Sequence, residues 1–368
     1  MQQGVEVKEL NFKCGGCGAT VEYEPGVKGM KCPFCGAQQE VPHAAEPIVE
    51  HDFNELAPIP YTQGQGLGTS TRFFKCDRCG ATSAIPDNQM TSKCEFCSSA
   101  VVVEVPPLEG MVMPESLIAF QIDKKRAGDL FKGWIAGLWF RPSDLKTKAN
   151  VATMNGYYVP HFTYDANAFS RWSGNAGHYY YVSVPYTHTV NGKRVSGTRQ
   201  ERRIRWEFRS GTHHTFYDDV LINASKGLPN EILDRVQPYD LKGLVRYTPQ
   251  FLAGFRAEAY SLDPRDAWNT ARALMQERER AACSKLLDGD TQQGLVVASE
   301  MSNIKWKHLL LPAYVSSYNY GSKVYRFMVN GQTGKIHGEA PYSWAKIGAT
   351  VGGIILGVIV AAWALGAF

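Results

Sequence analysis

The sequence predicts a multidomain chain in which two small four-cysteine modules precede a strand-rich α+β domain and one C-terminal transmembrane helix. Three observations predict it. Eight of the nine cysteines fall before residue 98, all in C-x-x-C pairs. The stretch that follows mixes two amphipathic helical patterns with alternating aromatic runs. The last 22 residues, from Ile347 to Phe368, carry no charge. A chain of 368 residues is too long for one ordinary domain and suits two or three. At 44% hydrophobic and 20% charged residues its bulk is globular rather than disordered. The net charge of +4 neither demands nor excludes an anionic partner.

The first cysteine cluster pairs Cys14 with Cys17 and, fourteen residues on, Cys32 with Cys35; the second pairs Cys76 with Cys79 and Cys94 with Cys97. Every cysteine recurs at an offset of 62, as do Phe12/Phe74, Lys13/Lys75, Ala19/Ala81, Thr20/Thr82, Lys31/Lys93 and Phe34/Phe96. This is an internal duplication. A C-x-x-C turn places two thiolates on one side of a tight knuckle, and two knuckles complete a tetrahedral shell of sulfur at about 2.3 Å from a zinc ion. Gly18, Gly36 and Gly80 follow the second cysteine of a knuckle, where a sharp turn needs them; Ser98 takes that place in the fourth. Residues 1–42 and 72–105 thus read as zinc ribbons, each with one structural zinc. So little apolar core is present that metal binding supplies most of the folding free energy, on the order of 10 kcal/mol. Four sulfurs close the shell, which argues against catalysis there. A rubredoxin-type iron centre uses similar pairs and is the alternative. Paired cysteines at this spacing point to metal in a reducing compartment rather than to disulfides. The N-terminus lacks the basic and apolar regions of a signal peptide, so the first 340 residues are expected in the cytosol.

Charge bears on nucleic acid. Residues 1–43 hold four Lys and five Glu, and residues 72–105 hold four basic and four acidic side chains. Phosphate neutralisation needs a basic surplus that neither ribbon has. A docking or structural role is expected instead.

Residues 43–71 read as a linker, with a glycine-rich spacer at 64–68. Residues 106–340 form the α+β domain. Asp123 caps a helix burying Ala127, Leu130, Phe131, Trp134, Ile135 and Leu138. A second helix starts at Asp263-Pro264 and runs to about Leu287, with Cys283 a buried thiol inside it. Aromatic strands interrupted by Pro160 and Pro312 follow the helices, and the segment around Pro249 has the same form; proline favours sheet edges or bulges. Residues 315–338 read as a meander with turns at 320–321 and 330–334. His213 and His214 show no metal spacing with a nearby carboxylate.

One segment stands out. Residues 191–209 hold seven Lys/Arg against two acids. Within it Ile204, Trp206 and Phe208 alternate with Arg203, Arg205 and Arg209, giving one apolar and one basic strand face. Arg199, Arg202, Arg203, Arg205 and Arg209 are the candidate contacts to anionic lipid headgroups or an acidic partner, with nucleic acid third.

The C-terminal run, residues 345–368, is long enough for a membrane span at about 1.5 Å per residue. Trp344 and Lys346 flank its near end, and Lys335 and Lys346 lie on the N-terminal side, so the expected orientation is N-terminus inside, a tail anchor. Ala349, Gly353, Gly357 and Ala361 recur every four residues, a stripe that lets membrane helices pack and form homo- or hetero-oligomers.

The assembled pattern resembles a bacterial family of double zinc-ribbon membrane proteins, with ribbons of the transcription factor IIB type, often labelled primosomal replication protein N′ or superfamily II helicase. The resemblance rests on the two ribbons, on the segment from His308 to Tyr318, and on the segment from Tyr325 to Lys335. A helicase needs a phosphate-cradling loop and a metal-holding acidic motif, and neither is present, nor is any other catalytic motif. Some relatives look like partners of flotillin-like and phage-shock-protein-A-like proteins. The resemblance thus implies a non-enzymatic scaffold that docks cytosolic proteins at the bacterial inner membrane, with a part in membrane-stress maintenance. A membrane-tethered nucleic-acid binder is the alternative.

Overall fold

A computed structural model of the chain describes residues 12–41, 47–55, 67, 71–86, 93–100, 102–106, 111–148, 150–151, 154–190 and 192–364. The spacer at 64–68 lies outside them apart from Leu67, which is buried. The first cysteine cluster sits on a small antiparallel sheet of β1 (Glu22–Glu24), β2 (Gly29–Lys31) and β3 (Gln38–Gln39). Part of the expected linker is bound to the body: β4 (His51–Asp52) pairs with residues 305 and 306. His51 bonds Glu115 at 2.6 Å, and Glu50 meets the buried Lys307 at 2.8 Å. The second cluster sits on β5 (Thr71–Cys76), flanked antiparallel by β6 (Thr82–Pro86) and β7 (Val102–Val105).

The body begins with β8 (Ser116–Ile118) and α1 (Lys124–Gly137), whose cap is Asp123, accepting from the Arg126 N–H at 2.6 Å. Ala127, Phe131 and Ile135 recur at helical spacing and are buried; Phe131 stacks on Phe327 at 4.1 Å. After α2 (Leu145–Lys148) and β9 (Asn150–Val151) come two very long strands, β10 (Asn155–Val190) and β11 (Lys193–Asn223). Then follow α3 (Asn230–Val236), β12 (Leu244–Arg246), β13 (Arg256–Ala259) and α4 (Pro264–Leu286). A third long strand, β14 (Thr291–Tyr320), leads into the meander of β15 (Lys323–Asn330) and β16 (Ile336–Gly338) at the expected turns, and α5 (Trp344–Ala364) ends the described chain.

The main sheet runs β12-β8-β14-β10-β13-β6-β5-β7, with β11 on β10 and β15 on β14. The strands that carry the second cysteine cluster therefore continue the sheet of the body, through β6 on β13.

Pro160 and Pro312 do not break their strands. Both sit where a strand changes partner: β10 pairs β13 at 157–158 and β11 from 161, while β14 pairs β8 at 309–310 and β15 from 313. The missing N–H falls in the gap between neighbours, so no ladder bond is lost. The segment around Pro249 is different: it opens a short 3-10 turn at Pro249–Leu252, because proline at a first helical position lacks only a donor that had no partner.

The three long strands form a ribbon with α4 across one face. Trp268, Ala271, Met275, Glu279 and Cys283 point into it, against Tyr164, Ala166, Ala168, Trp172 and Ala176. The small residues let the helix lie close. A Cβ at Gly174 would stand 2.8 Å from Leu287. Beyond Gly177, the last β10 residue paired with β14, β10 keeps β11 alone. Thirteen residue pairs, from His178/Arg205 to Val190/Lys193, form a two-stranded arm roughly 40 Å long at about 3.3 Å per residue. No described residue of the arm from 178 to 205 is buried. Val190 and Lys193 close the arm, and Asn-Gly, a strong hairpin signal, stands between them in the sequence.

Candidate metal centres

The eight cysteines assemble as their spacing requires. Cys14 and Cys35 lie 3.4 Å apart at sulfur, Cys17 and Cys32 3.5 Å, Cys76 and Cys97 3.6 Å, and Cys79 and Cys94 3.6 Å. A disulfide would bring them to about 2.05 Å, whereas the edge of a tetrahedron with metal–sulfur bonds of about 2.3 Å is about 3.8 Å. Both clusters fit one metal ion each.

All four knuckles share one backbone scheme. The N–H of Cys14, Cys32, Cys76 and Cys94 donates to the carbonyl five residues on, at 2.7 to 2.9 Å. The chain returns through a left-handed residue: Gly18, Gly36 and Gly80 at φ 73°, 75° and 79°, and Ser98 at φ 57°. Ser98 thus takes a conformation that costs a non-glycine residue about 1 kcal/mol, and its hydroxyl is held by that of Ser317 on β14.

The thiols are unequal. The N–H of Cys35 draws Cys32 down to about 6, and a bond from the Cys94 thiol draws Cys79 down to about 5. Their neighbours move oppositely. Cys35, though the Ala37 N–H lowers it, is raised to about 12 by the other thiols, and burial lifts Cys97 to about 11. In each cluster some thiols are drawn toward the thiolate while others are held back from it. A dication removes that conflict, since each sulfur then faces positive charge.

The duplicated cysteine clusters are set differently. Phe96, at the second ribbon's last knuckle, is fully buried; it packs on Tyr157 at 5.0 Å and lies where a side chain at Gly227 would clash. Glu95 beside it pairs with Arg256. Phe34, its counterpart in the first ribbon, is 81% exposed. That ribbon docks through its other side, by the Tyr23 N–H on the Ala253 carbonyl at 3.0 Å and Tyr23 against Phe251.

No family model matches the chain, and no solved structure does. It is similar to a protein of Bacillus subtilis (strain 168). That relative is the uncharacterized protein YdjG, 22% identical over 354 residues, which cover 96% of each chain. The match runs nearly end to end rather than through the cysteine pairs alone.

The candidate arginines lie on β11, and their expected alternation is present. Its apolar side is solvent-facing, with Ile204, Trp206 and Phe208 all exposed. Its basic side is partly neutralised. Arg203 meets Glu201 at 3.6 Å, Arg205 meets Glu207 at 3.2 Å, and Arg209 meets Glu207 at 2.9 Å. Arg202 lies over the Tyr179 ring at 4.3 Å. Arg199 and Arg202 carry no ion pair among the described residues.

α5 is a 21-residue helix of mean hydropathy 2.1 with no buried residue, long and apolar enough to cross a membrane. Ala349, Gly353, Gly357 and Ala361 are all exposed on it.

Two buried carboxylates were beyond the sequence reading. Glu279 on α4 accepts from Ser170 at 2.7 Å and Tyr217 at 2.8 Å and meets His213 at 2.9 Å, with Cys283 in the same cluster. This corrects the expectation for His213: a carboxylate is beside it, supplied 66 residues later in the chain. Both carboxylate oxygens are engaged by the surrounding hydroxyls and imidazole, so the cluster reads as a buried, hydrogen-bonded carboxylate.

Glu258 on β13 lies behind the second ribbon. Burial pushes it up to about 8 from an ordinary 4.5, with Ser225 as its hydrogen-bond donor. A carboxyl whose folded value lies above its unfolded one loses stability as pH rises between the two, at about 1.4 kcal/mol per pH unit. Glu258→Gln is therefore expected to raise the unfolding midpoint of metal-loaded protein at pH 8 and leave it nearly unchanged at pH 4.5. Thermal melts at the two pH values check this.

Proposed function

We propose that this chain is a membrane-anchored zinc-ribbon adaptor that holds cytosolic protein partners at the bacterial inner membrane, with zinc in both clusters and α5 as a single span. The arm is the observation that carries the reading. A lone two-stranded hairpin is marginal in water. This one keeps Tyr181 65% and Phe208 70% exposed at and near it. Such rings contribute binding energy when a partner covers them. The exposed Phe34 at the first ribbon's tip is a second apolar contact of the same kind. The partners implied by the resemblance, flotillin-like or phage-shock-protein-A-like assemblies, are the first to test.

Excision of residues 178–205, rejoined by an Asn-Gly turn, is expected to abolish partner capture in affinity purification from detergent-solubilised membranes. Metal content and membrane retention should not change. Recovery of an unaltered partner set would show that docking happens elsewhere.

The interleaving of Arg199 and Arg202 with Tyr179, Tyr180 and Tyr181 favours a second reading, single-stranded nucleic acid stacked along the arm. It requires steeply salt-dependent binding that collapses in the Arg199→Ala/Arg202→Ala chain. Weak binding with a flat salt response would remove it.

A further inference from the structure

The arm and α5 stand at opposite ends of the long strands. From Asn155 in the body to the arm's turn, β10 runs 36 residues, a path of roughly 110 Å at about 3.3 Å per residue. A basic surface that meets the anchoring bilayer belongs nearer the root of α5.

That root carries an unusual set of exposed rings. Trp139 is 74% exposed, Tyr342 63% and Trp344 78%, with Phe140 beside them. They are held together: the Ser343 N–H donates to the Phe140 carbonyl at 2.9 Å, and Lys346 Nζ to that of Trp139 at 3.3 Å. Amphipathic rings gathered around the start of an apolar helix suit the headgroup layer of a bilayer.

Beside these rings opens a cleft of about 720 Å³. Its cations come from four separate parts of the chain: Arg78 from a knuckle of the second cysteine cluster, Arg141 from the segment between α1 and α2, Arg235 from α3, and Lys323 from the first residue of β15. Two carboxylates line it as well, and both are engaged, Glu231 with Arg235 at 3.2 Å and Glu339 with Arg326 at 2.8 Å. Arg78, Arg141 and Lys323 have no ion-pair partner among the described residues. The Arg141 guanidinium lies on the Tyr342 ring at 3.8 Å, and its buried Nη1 has no hydrogen-bond acceptor. His337, in the same wall, is held below its ordinary value by burial and then by Arg235.

We propose that this cleft binds the phosphate-bearing headgroup of an anionic phospholipid at the level where α5 enters the bilayer, with Arg78, Arg141 and Lys323 as its cationic contacts. The proposal rests on the reading of α5 as a membrane span. Three cations without counter-charges, one lacking an acceptor, form the donor set that a phosphodiester satisfies. The aromatic collar sets the depth, and the second ribbon's metal fixes the knuckle that presents Arg78.

The test is a titration of the full chain in neutral detergent micelles with pyrene-labelled phosphatidylglycerol, read by tryptophan-to-pyrene energy transfer. Phosphatidylcholine carrying the same label is the neutral control. Wild type is expected to prefer phosphatidylglycerol, and Arg141→Gln/Lys323→Gln to lose affinity by about tenfold or more. Lys323→Glu alone, at the exposed first residue of β15, should lose nearly as much with the fold intact, while Arg203→Gln/Arg205→Gln on the arm should bind as wild type. Equal binding of both lipids, or unchanged affinity in the cleft variants, overturns the proposal. So does full displacement by millimolar inorganic phosphate, which would make the cleft a site for free phosphate. Carbonate extraction of membranes tests α5 separately: release of the chain would refute the span, whereas the micelle titration does not require the chain to cross a bilayer.

Discussion

Cys76→Ser or Cys94→Ser is expected to unfold more than a ribbon. Each should reduce bound metal from two ions to one and also lower the main unfolding transition of the body. The reason is continuity: β5, β6 and β7 extend the main sheet through β13, Phe96 fills a buried site against Tyr157, and Glu95 pairs with Arg256. A structural zinc contributes on the order of 10 kcal/mol to the fold that holds it, so its loss is comparable to the whole stability of a typical domain. Cys14→Ser should cost one metal as well, but the small sheet of the first ribbon is not part of the main sheet, so the body's transition should move less. Elemental analysis with calorimetry of the three variants checks both statements. Equal effects from the two ribbons would mean that the first is as integral to the body as the second. Chelation should likewise end partner capture without releasing the chain from membranes, since α5 shares no residue with either cluster.

Glu279→Ala should destabilise the body by about 3–5 kcal/mol, because it leaves Ser170, Tyr217 and His213 facing a void under α4. Burial alone would raise this carboxyl, yet the bonds from His213, Ser170 and Tyr217 outweigh it and hold it below the usual range. A depressed carboxylate supports the fold above its unfolded value and loses that contribution as pH falls through the folded one. Wild type should therefore lose stability below about pH 4, and the variant should show a shallower acid limb. Denaturant titrations between pH 3 and 7 measure both. Parallel limbs would show that the ionised carboxylate does not contribute.

Local chemistry explains why so much was legible beforehand. A C-x-x-C knuckle closes over a few residues, so the eight ligands and their grouping followed from spacing. Asp123 and Asp263 cap their helices because the bond runs to an N–H two or three residues away. The turns at Gly321 and Gly334 follow from backbone freedom at single residues, both at positive φ. α5 follows from composition alone.

Partners distant in the chain were not legible. Proline in a strand read as a break because the change of neighbour at Pro160 and Pro312 depends on where other strands begin and end. In the sequence His213 stands apart from any carboxylate because its partner Glu279 arrives on another element. The 62-residue duplication made Phe34 and Phe96 look equivalent, yet one is exposed and the other fully buried. By itself the sequence determined the two metal clusters, the helix starts and the apolar terminal helix, all set by residues within one turn or one knuckle. Only the tertiary structure decided that the strands of the second cysteine cluster belong to the main sheet, that the basic segment stands on a projecting arm, and that cations gather at the root of α5. Each of these depends on packing between residues far apart in the chain, which no local pattern encodes.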